Sequence, residues 1–216
     1  MEQPRSWPGR ILLTSAALVA VTSLSLAAAP PAAAAATTTT SGWLQDGFEA
    51  PVLAPDSFAL FSAGQPMGAW TVTSGDVHLI GAGFWQAAEG SQSLDLDGGQ
   101  RGAVAMDLPT VPLFVYRVSY SLAGNPVAGP TVKTGTASVN GGLTQSFSFD
   151  ITGKTRTDMG YVRKSFHFLA TSHTSTLEFA STTTPAGWGP VIDDVVVRAC
   201  LLIICPGHAA APLVRG

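Results

Sequence analysis

The sequence predicts an all-β protein, a sandwich of two sheets with little helix, and three observations predict it. Charged residues make up only 12% of the chain while Gly, Ser, Thr and Val abound, a profile of short strands and tight turns rather than of amphipathic surface helices. Short apolar or alternating runs recur with turn residues between them, the spacing of a sandwich or barrel. No stretch of helical length after Ser41 repeats with a helical period.

A leader comes first. Met1 to Arg10 is a short basic stretch, Ile11 to Ala29 is apolar and diluted by Ser and Thr, and Ala34-Ala35-Ala36 fits an A-x-A cleavage site. Residues 1–36 are therefore expected to be a signal peptide, and the mature protein to be secreted and extracellular. The apolar stretch is just long enough to span a bilayer, but its alanine richness and the Pro30-Pro31 that ends it are marks of processing. Arg5 and Arg10 are not adjacent and no Cys follows the stretch, so neither twin-arginine export nor a lipid anchor is indicated. Residues 37–41 form a Thr-rich spacer. After cleavage about 180 residues remain, enough for one domain with a core, placed at residues 42–198. Residues 199–216 are left as a C-terminal tail.

Strands are expected in turn. Trp70 to Thr73 and Val77 to Ile80 flank Ser74-Gly75-Asp76, which reads as a hairpin, and Ser93 to Leu96 is ended by Asp97-Gly98-Gly99. Phe114 to Leu122 alternates most clearly. Phe114, Tyr116, Val118, Tyr120 and Leu122 share one face, as a half-buried central strand requires. Thr134 to Val139 and Thr144 to Phe149 surround Asn140-Gly141-Gly142, residues that accept positive φ in a hairpin. Val162 to Leu169 turns Phe166 and Phe168 inward, Thr176 to Ser181 does the same with Leu177 and Phe179, and Pro190 to Val197 closes the sheet.

The formal charge of −3 becomes one unit more negative once residues 1–36 leave, since they carry Arg5 and Arg10 against Glu2. No basic stripe remains, so nucleic acid is not an expected partner. Cys200 and Cys205 are the two cysteines, and in an exported chain such a pair is expected to form a disulfide. The short apolar run that follows Cys200 cannot span a membrane, and the mature domain is expected to be a monomer without a membrane anchor.

In Gly187 to Val197, GWGPVIDDVVV, Asp193 and Asp194 interrupt an apolar, β-branched run. Buried carboxylates need pairing, hydrogen bonds or a metal. The other carboxylate-bearing strand candidate, Phe48-Glu49 in the stretch DGFE, lies near the opposite end of the domain. The simplest reading lays the first and last strands together and lets a calcium ion join Glu49 to Asp193 and Asp194 through oxygen ligands.

Asp95-Leu96-Asp97-Gly98 begins like a calcium loop, but Met106 stands where the bidentate Glu should be. On a strand Asp95 and Asp97 would share one face, either solvated or holding a ligand. Trp70, at the start of a strand, is expected in the core. Phe84, Trp85 and Trp188 lie in or beside Gly-flanked loops, where a ring can stack on a pyranose while Gln86 or a neighbouring Asp bonds its hydroxyls. The expected ligand residues are Trp85, Gln86, Trp188, Asp95 and Asp97. His167, between two phenylalanines, should face solvent. No G-x-S-x-G, H-E-x-x-H or P-loop occurs, and no catalytic residue is assigned.

Four segments in order, Ser62 to Gly99, Ser119 to Thr134, Phe147 to Phe168 and Gly189 to Val197, resemble the choice-of-anchor C family of bacterial secreted proteins. That family is itself similar to the plant cell-wall proteins of domain of unknown function family 642. The resemblance implies a galactose-binding-like jelly roll in an extracellular or cell-wall setting. It also implies a structural calcium ion bridging an opening N-G-x-F-E strand and a closing I-D-D/N-V strand, which maps onto Glu49 and Asp193, with Asp194 contributing. The opening motif here lacks its usual Asn, and the chain ends CLLIICPGHAAAPLVRG, with neither a sorting motif nor a spanning helix. Free secretion is therefore expected. The function expected is a non-catalytic carbohydrate-binding module acting on cell-wall or other extracellular polysaccharide. The alternative is a structural or adhesion protein of the envelope that binds protein partners. A hydrolase would need two carboxylates facing across a cleft, and only Glu89, Asp95 and Asp97 cluster in the sequence.

Overall fold

In a computed structural model, which describes residues 43–200, the chain forms strands without helix among the described residues. One sheet runs in the order β11 (Val162–Leu169), β8 (Val115–Gly124), β13 (Pro190–Cys200), β6 (Ser93–Asp95), β5 (Asp76–Ile80) and β2 (Phe58–Ser62). A further strand, β1 (Trp43–Asp46), pairs with β13. The other sheet is ordered β10 (Leu143–Asp150), β9 (Val132–Val139), β12 (Thr174–Ser181), β7 (Ala103–Pro109), β4 (Trp70–Ser74) and β3 (Pro66–Met67). Every pairing is antiparallel. The result is the jelly-roll β-sandwich expected.

The core sits between the sheets because alternation sends every second side chain inward. Tyr116, Val118, Tyr120 and Leu122 of β8 are buried, and the Tyr120 ring meets Phe147 and Phe179 of the opposite sheet edge-on at 5.8 and 4.9 Å. Trp70 is buried as expected and packs on Phe48 and Phe179. Phe166, Phe168 and Leu177 point inward and His167 outward, in line with their alternation. Phe114 does not join its expected face; it precedes β8 and is exposed.

First and last strands do lie together, with Asp46 opposite Val195 and Trp43 opposite Arg198. Asn140 and Gly141 take positive φ in the tight turn between β9 and β10. The expected hairpin at Ser74-Gly75-Asp76 is a correction: β4 pairs with β3 and β7, and β5 with β2 and β6. The turn is a corner that passes the chain from one sheet to the other. Gly75 makes it with positive φ, tight against the Arg101 backbone, where a Cβ has no room.

The expected signal peptide and spacer lie outside the described residues, as do the tail beyond Cys200 and Cys205, the expected disulfide partner of Cys200.

Candidate functional site

Strand β13 explains how two carboxylates interrupt an apolar run. Along one edge, Val191 and Ile192 pair with β6, whereas Val195 to Arg198 pair with β1. Asp193 and Asp194 fall between those partners, at a bulge in the register with β8, and Asp194 takes a φ of 46°. A bulge re-aims side chains. Asp193 is fully buried, and its Oδ2 accepts from the backbone N–H groups of Ala88 (2.7 Å) and Glu89 (3.0 Å) while Oδ1 accepts from its neighbour's N–H (2.6 Å). Burial pushes its carboxyl up to about 7, a rise that the three N–H donors oppose and the nearby Glu89 carboxylate adds to.

Glu49 works in a similar way. Phe48 takes positive φ and Glu49 follows β1 as irregular backbone, a correction to the strand expected there. Its carboxylate accepts from Ser91 N–H (2.8 Å), Ser91 Oγ (2.8 Å) and Gln92 N–H (2.9 Å). Gln92 in turn donates to the carbonyls of Phe48 and Pro51. Asp194 pairs with Arg163 and accepts from Gln45 Nε2.

Against a calcium ion, this donor set does not fit. Glu49 and Asp193 each already take three N–H or O–H donors, and Asp194 faces a guanidinium. Among the described residues no group of three or more His, Cys, Asp or Glu side chains is disposed to hold a metal ion. Hydrogen bonds from the 88–92 turn tie Glu49 and Asp193 to one segment.

The expected sugar-contact residues partly converge elsewhere, on a groove of about 160 Å³ beside β5 and β6. Its wall is aromatic. Phe84 meets Trp85 and Phe58 edge-on, each at 5.4 Å, and Phe58 meets His78 at 4.9 Å. Trp188, on the loop entering β13, lines the groove and is 37% exposed. Trp85 also lines it, but only 5% of it is exposed and its Nε1 donates to Ser93 Oγ (2.8 Å), so it is mainly part of the core.

Polar groups come from the floor and the rim. Asp95 is buried, correcting the solvated face expected for it; Oδ1 accepts from the N–H groups of Asp97 and Gly189, and Oδ2 from Asn125 Nδ2 at 2.7 Å. Burial pushes its carboxyl up to about 7, with those donors opposing and the Asp97 charge adding. Burial likewise holds His78 below its ordinary value, against the pull of Asp76 and of the Asp97 carbonyl it bonds, so the ring is neutral at pH 7. Lys133 lies fully buried behind this floor, donating to the Ala128 carbonyl at 2.7 Å, with Asp95 and Asp97 as its counter-charges.

Asp97 is not a groove residue. It is wholly buried, its carboxylate oxygens lack a hydrogen-bond partner of good geometry, and burial raises its pKa, with Ser181, the Gly187 N–H and Lys133 pulling the other way. Gln86 does not line the groove either. Its N–H donates to the Arg156 carbonyl (2.7 Å) and its Oε1 accepts from Met159 N–H (3.0 Å), which pins the turn carrying Arg156. Arg156, at the rim, places its guanidinium carbon 4.4 Å from the Phe84 ring centroid. Sequence reasoning missed Arg156, His78 and Asn125. Arg156 stands in Lys154-Thr155-Arg156-Thr157-Asp158, which reads as an ordinary solvated turn; only the structure closes it over Phe84.

Comparison with known proteins adds a family. The family model described as a protein of unknown function, DUF642, matches residues 42–198. No curated protein matches the chain. A native family 35 carbohydrate binding module from Clostridium thermocellum is 15% identical, covering 65% of this chain and 97% of that one, with a TM-score of 0.45. The CBM22-1 xylan-binding domain from Paenibacillus barcinonensis Xyn10C is 19% identical, covering 72% and 92%, also with a TM-score of 0.45.

Proposed function

This chain belongs to the DUF642 family of proteins of unknown function, and from that premise we propose that it is a secreted, non-catalytic module that binds a sugar unit of an extracellular or cell-wall polysaccharide. The observation that carries this reading is the exposed Trp188 ring set in one groove with Asn125, His78 and the aromatic wall of Phe58 and Phe84. An apolar face and fixed polar groups are what a pyranose presents a need for: ring C–H groups stack on an indole, and hydroxyls bond to amide and imidazole. Asn125 Oδ1 is taken by Val127 N–H, and one Nδ2 hydrogen by Asp95. Its second Nδ2 hydrogen is left for a ligand, as is the imidazole nitrogen of neutral His78 that does not bond Asp97. Asp95 is the one carboxyl among the groove's lining residues, whereas glycoside hydrolysis takes two, about 5–10 Å apart across the bond. That single carboxyl supports a reading of binding without a covalent step.

The test is retention of the exported protein on insoluble polysaccharides and a glycan array, with Trp188→Ala alongside. Binding that disappears in the variant supports the reading; retention unchanged in the variant removes this groove from it. A second reading is favoured by one surface. Leu113 (82% exposed), Phe114 (42%) and Leu169 (54%) crowd together where Leu113 and Phe114 hydrogen-bond to Ala170, an apolar patch suited to a protein partner in the envelope. Glycan binding absent from a folded protein would move the assignment there.

A further inference from the structure

The groove's exposed charge is of one sign. Its only carboxyl, Asp95, is 1% exposed and spent on three donors, with Lys133 behind it. His78 is neutral at pH 7. Arg156 alone projects at the rim, and among the described residues no carboxylate stands within ion-pairing distance of it. Its position is nonetheless fixed. The Phe84 ring backs the guanidinium, Gln86 holds the turn at two points, and Thr155 and Asp158 close that turn by reciprocal backbone hydrogen bonds of 3.1 and 3.2 Å. A guanidinium braced against a ring keeps its N–H fork for an external acceptor, and a planar carboxylate matches that fork in a bidentate pair. The groove's volume, about 160 Å³, is that of a single six-membered ring, since a cavity of about 150 Å³ accommodates benzene.

From this we infer that the groove selects a sugar ring that carries a carboxylate, a hexuronic acid unit of an acidic polysaccharide, with Arg156 clamping the carboxylate while the ring lies on Trp188. The inference rests on the sugar-binding reading above. The chain's charge of −3 offers a polyanion no long-range attraction, so selectivity has to come from this one contact.

The experiment uses the full chain as exported and measures affinity by calorimetry and by retardation in gels containing glycan. Polygalacturonate, alginate and glucuronoxylan are each paired with their carboxyl-reduced forms, which keep the ring and lose the charge. At least one acidic member is expected to bind about tenfold or more tightly than its reduced partner, the scale of a hydrogen-bonded charged pair. Arg156→Gln should erase that preference while weak binding of the reduced form persists; Arg156 is exposed, so the variant keeps the fold. Trp188→Ala should lose both forms. Equal affinity for acidic and reduced forms overturns the uronate assignment and leaves sugar binding standing; a preference that survives Arg156→Gln overturns Arg156 as the clamp. Failure of every glycan to bind takes down both.

Discussion

Gly129 lies directly under Trp188: a Cβ on Gly129 would stand 3.0 Å from the Trp188 Cβ and 3.2 Å from its Cε3. The glycine also holds a φ of +81°, a conformation that costs an L-residue roughly 1–2 kcal/mol. The 129 turn therefore sets where the indole stands. Gly129→Ala should push the ring off its place and weaken glycan binding severalfold, with a melting temperature lowered by about 2–8 °C. A binding isotherm and a thermal melt on the same preparation separate the two effects. Wild-type affinity in a variant that melts lower would show that Trp188 is not held by this turn.

Trp85 and Trp188 look alike in the sequence, both in Gly-flanked loops, and they part in the structure. Trp85→Ala removes a buried indole and its bond to Ser93, which should cost about 3–5 kcal/mol of stability. Trp188→Ala, at a ring 37% exposed, should cost no more than about 1–2 kcal/mol and abolish binding. Denaturant titration of both variants checks this; equal losses of stability would contradict the division of roles.

The sandwich was legible because its strands announce themselves by alternation: β11 and β12 carry their buried set at every second position, whereas β8 alternates in sequence but is buried on both faces from Val118 to Gly124 because it lies between β11 and β13. What stayed hidden were contacts with no periodic signature. The Ser74-Gly75-Asp76 corner has hairpin residues, yet nothing local says that its two strands enter different sheets. Strands β2, β3 and β7 went unassigned; β3 is too short for a period, and β2 lies at a sheet edge with Phe58 and Leu60 about half exposed. For the groove, Trp188 and Asp95 were readable as types of residue that bind sugars, whereas Arg156 and Asn125 reach the site only through loop packing. Gln86 carried the right chemistry for a ligand and turned out to spend it on the 156–159 turn.

Asp193 should behave as a structural acceptor. Asp193→Ala removes the acceptor from the N–H groups of Ala88 and Glu89, two part-buried hydrogen bonds to a carboxylate, and bonds to a charged group contribute roughly 1.5–3 kcal/mol each. A loss of about 3 kcal/mol and a melting temperature lower by about 6–12 °C are expected. Hydrogen bonds already engage Glu49 and Asp193, so wild type is expected to melt alike in calcium and in chelator. A chelator-induced fall in wild type that is absent from Asp193→Ala would restore the calcium staple and refute this account.

Asp95 gives the stability a pH dependence whose sign follows from burial. Its ordinary value is 3.8, taken here for the unfolded chain, and the fold pushes it up to about 7. Between those values the native state keeps a proton that the unfolded chain has released. Stability from this group therefore falls as pH rises from about 4 to about 7 and is level on either side. Asp193, raised to about 7 by the same cause, adds a fall in the same window. In Asp95→Asn the first contribution vanishes. The unfolding free energy of the variant, relative to wild type, should then rise across that window by at most about 4 kcal/mol, whatever constant loss the altered bonds to Asn125 and Gly189 impose. Denaturant titrations of both proteins at several pH values between about 4 and 8 measure the difference directly. A difference that stays constant would mean that Asp95 is ionised throughout, its charge held by Asn125, the two backbone N–H groups and Lys133; a difference that falls with pH would mean that those partners stabilise the carboxylate beyond its level in water.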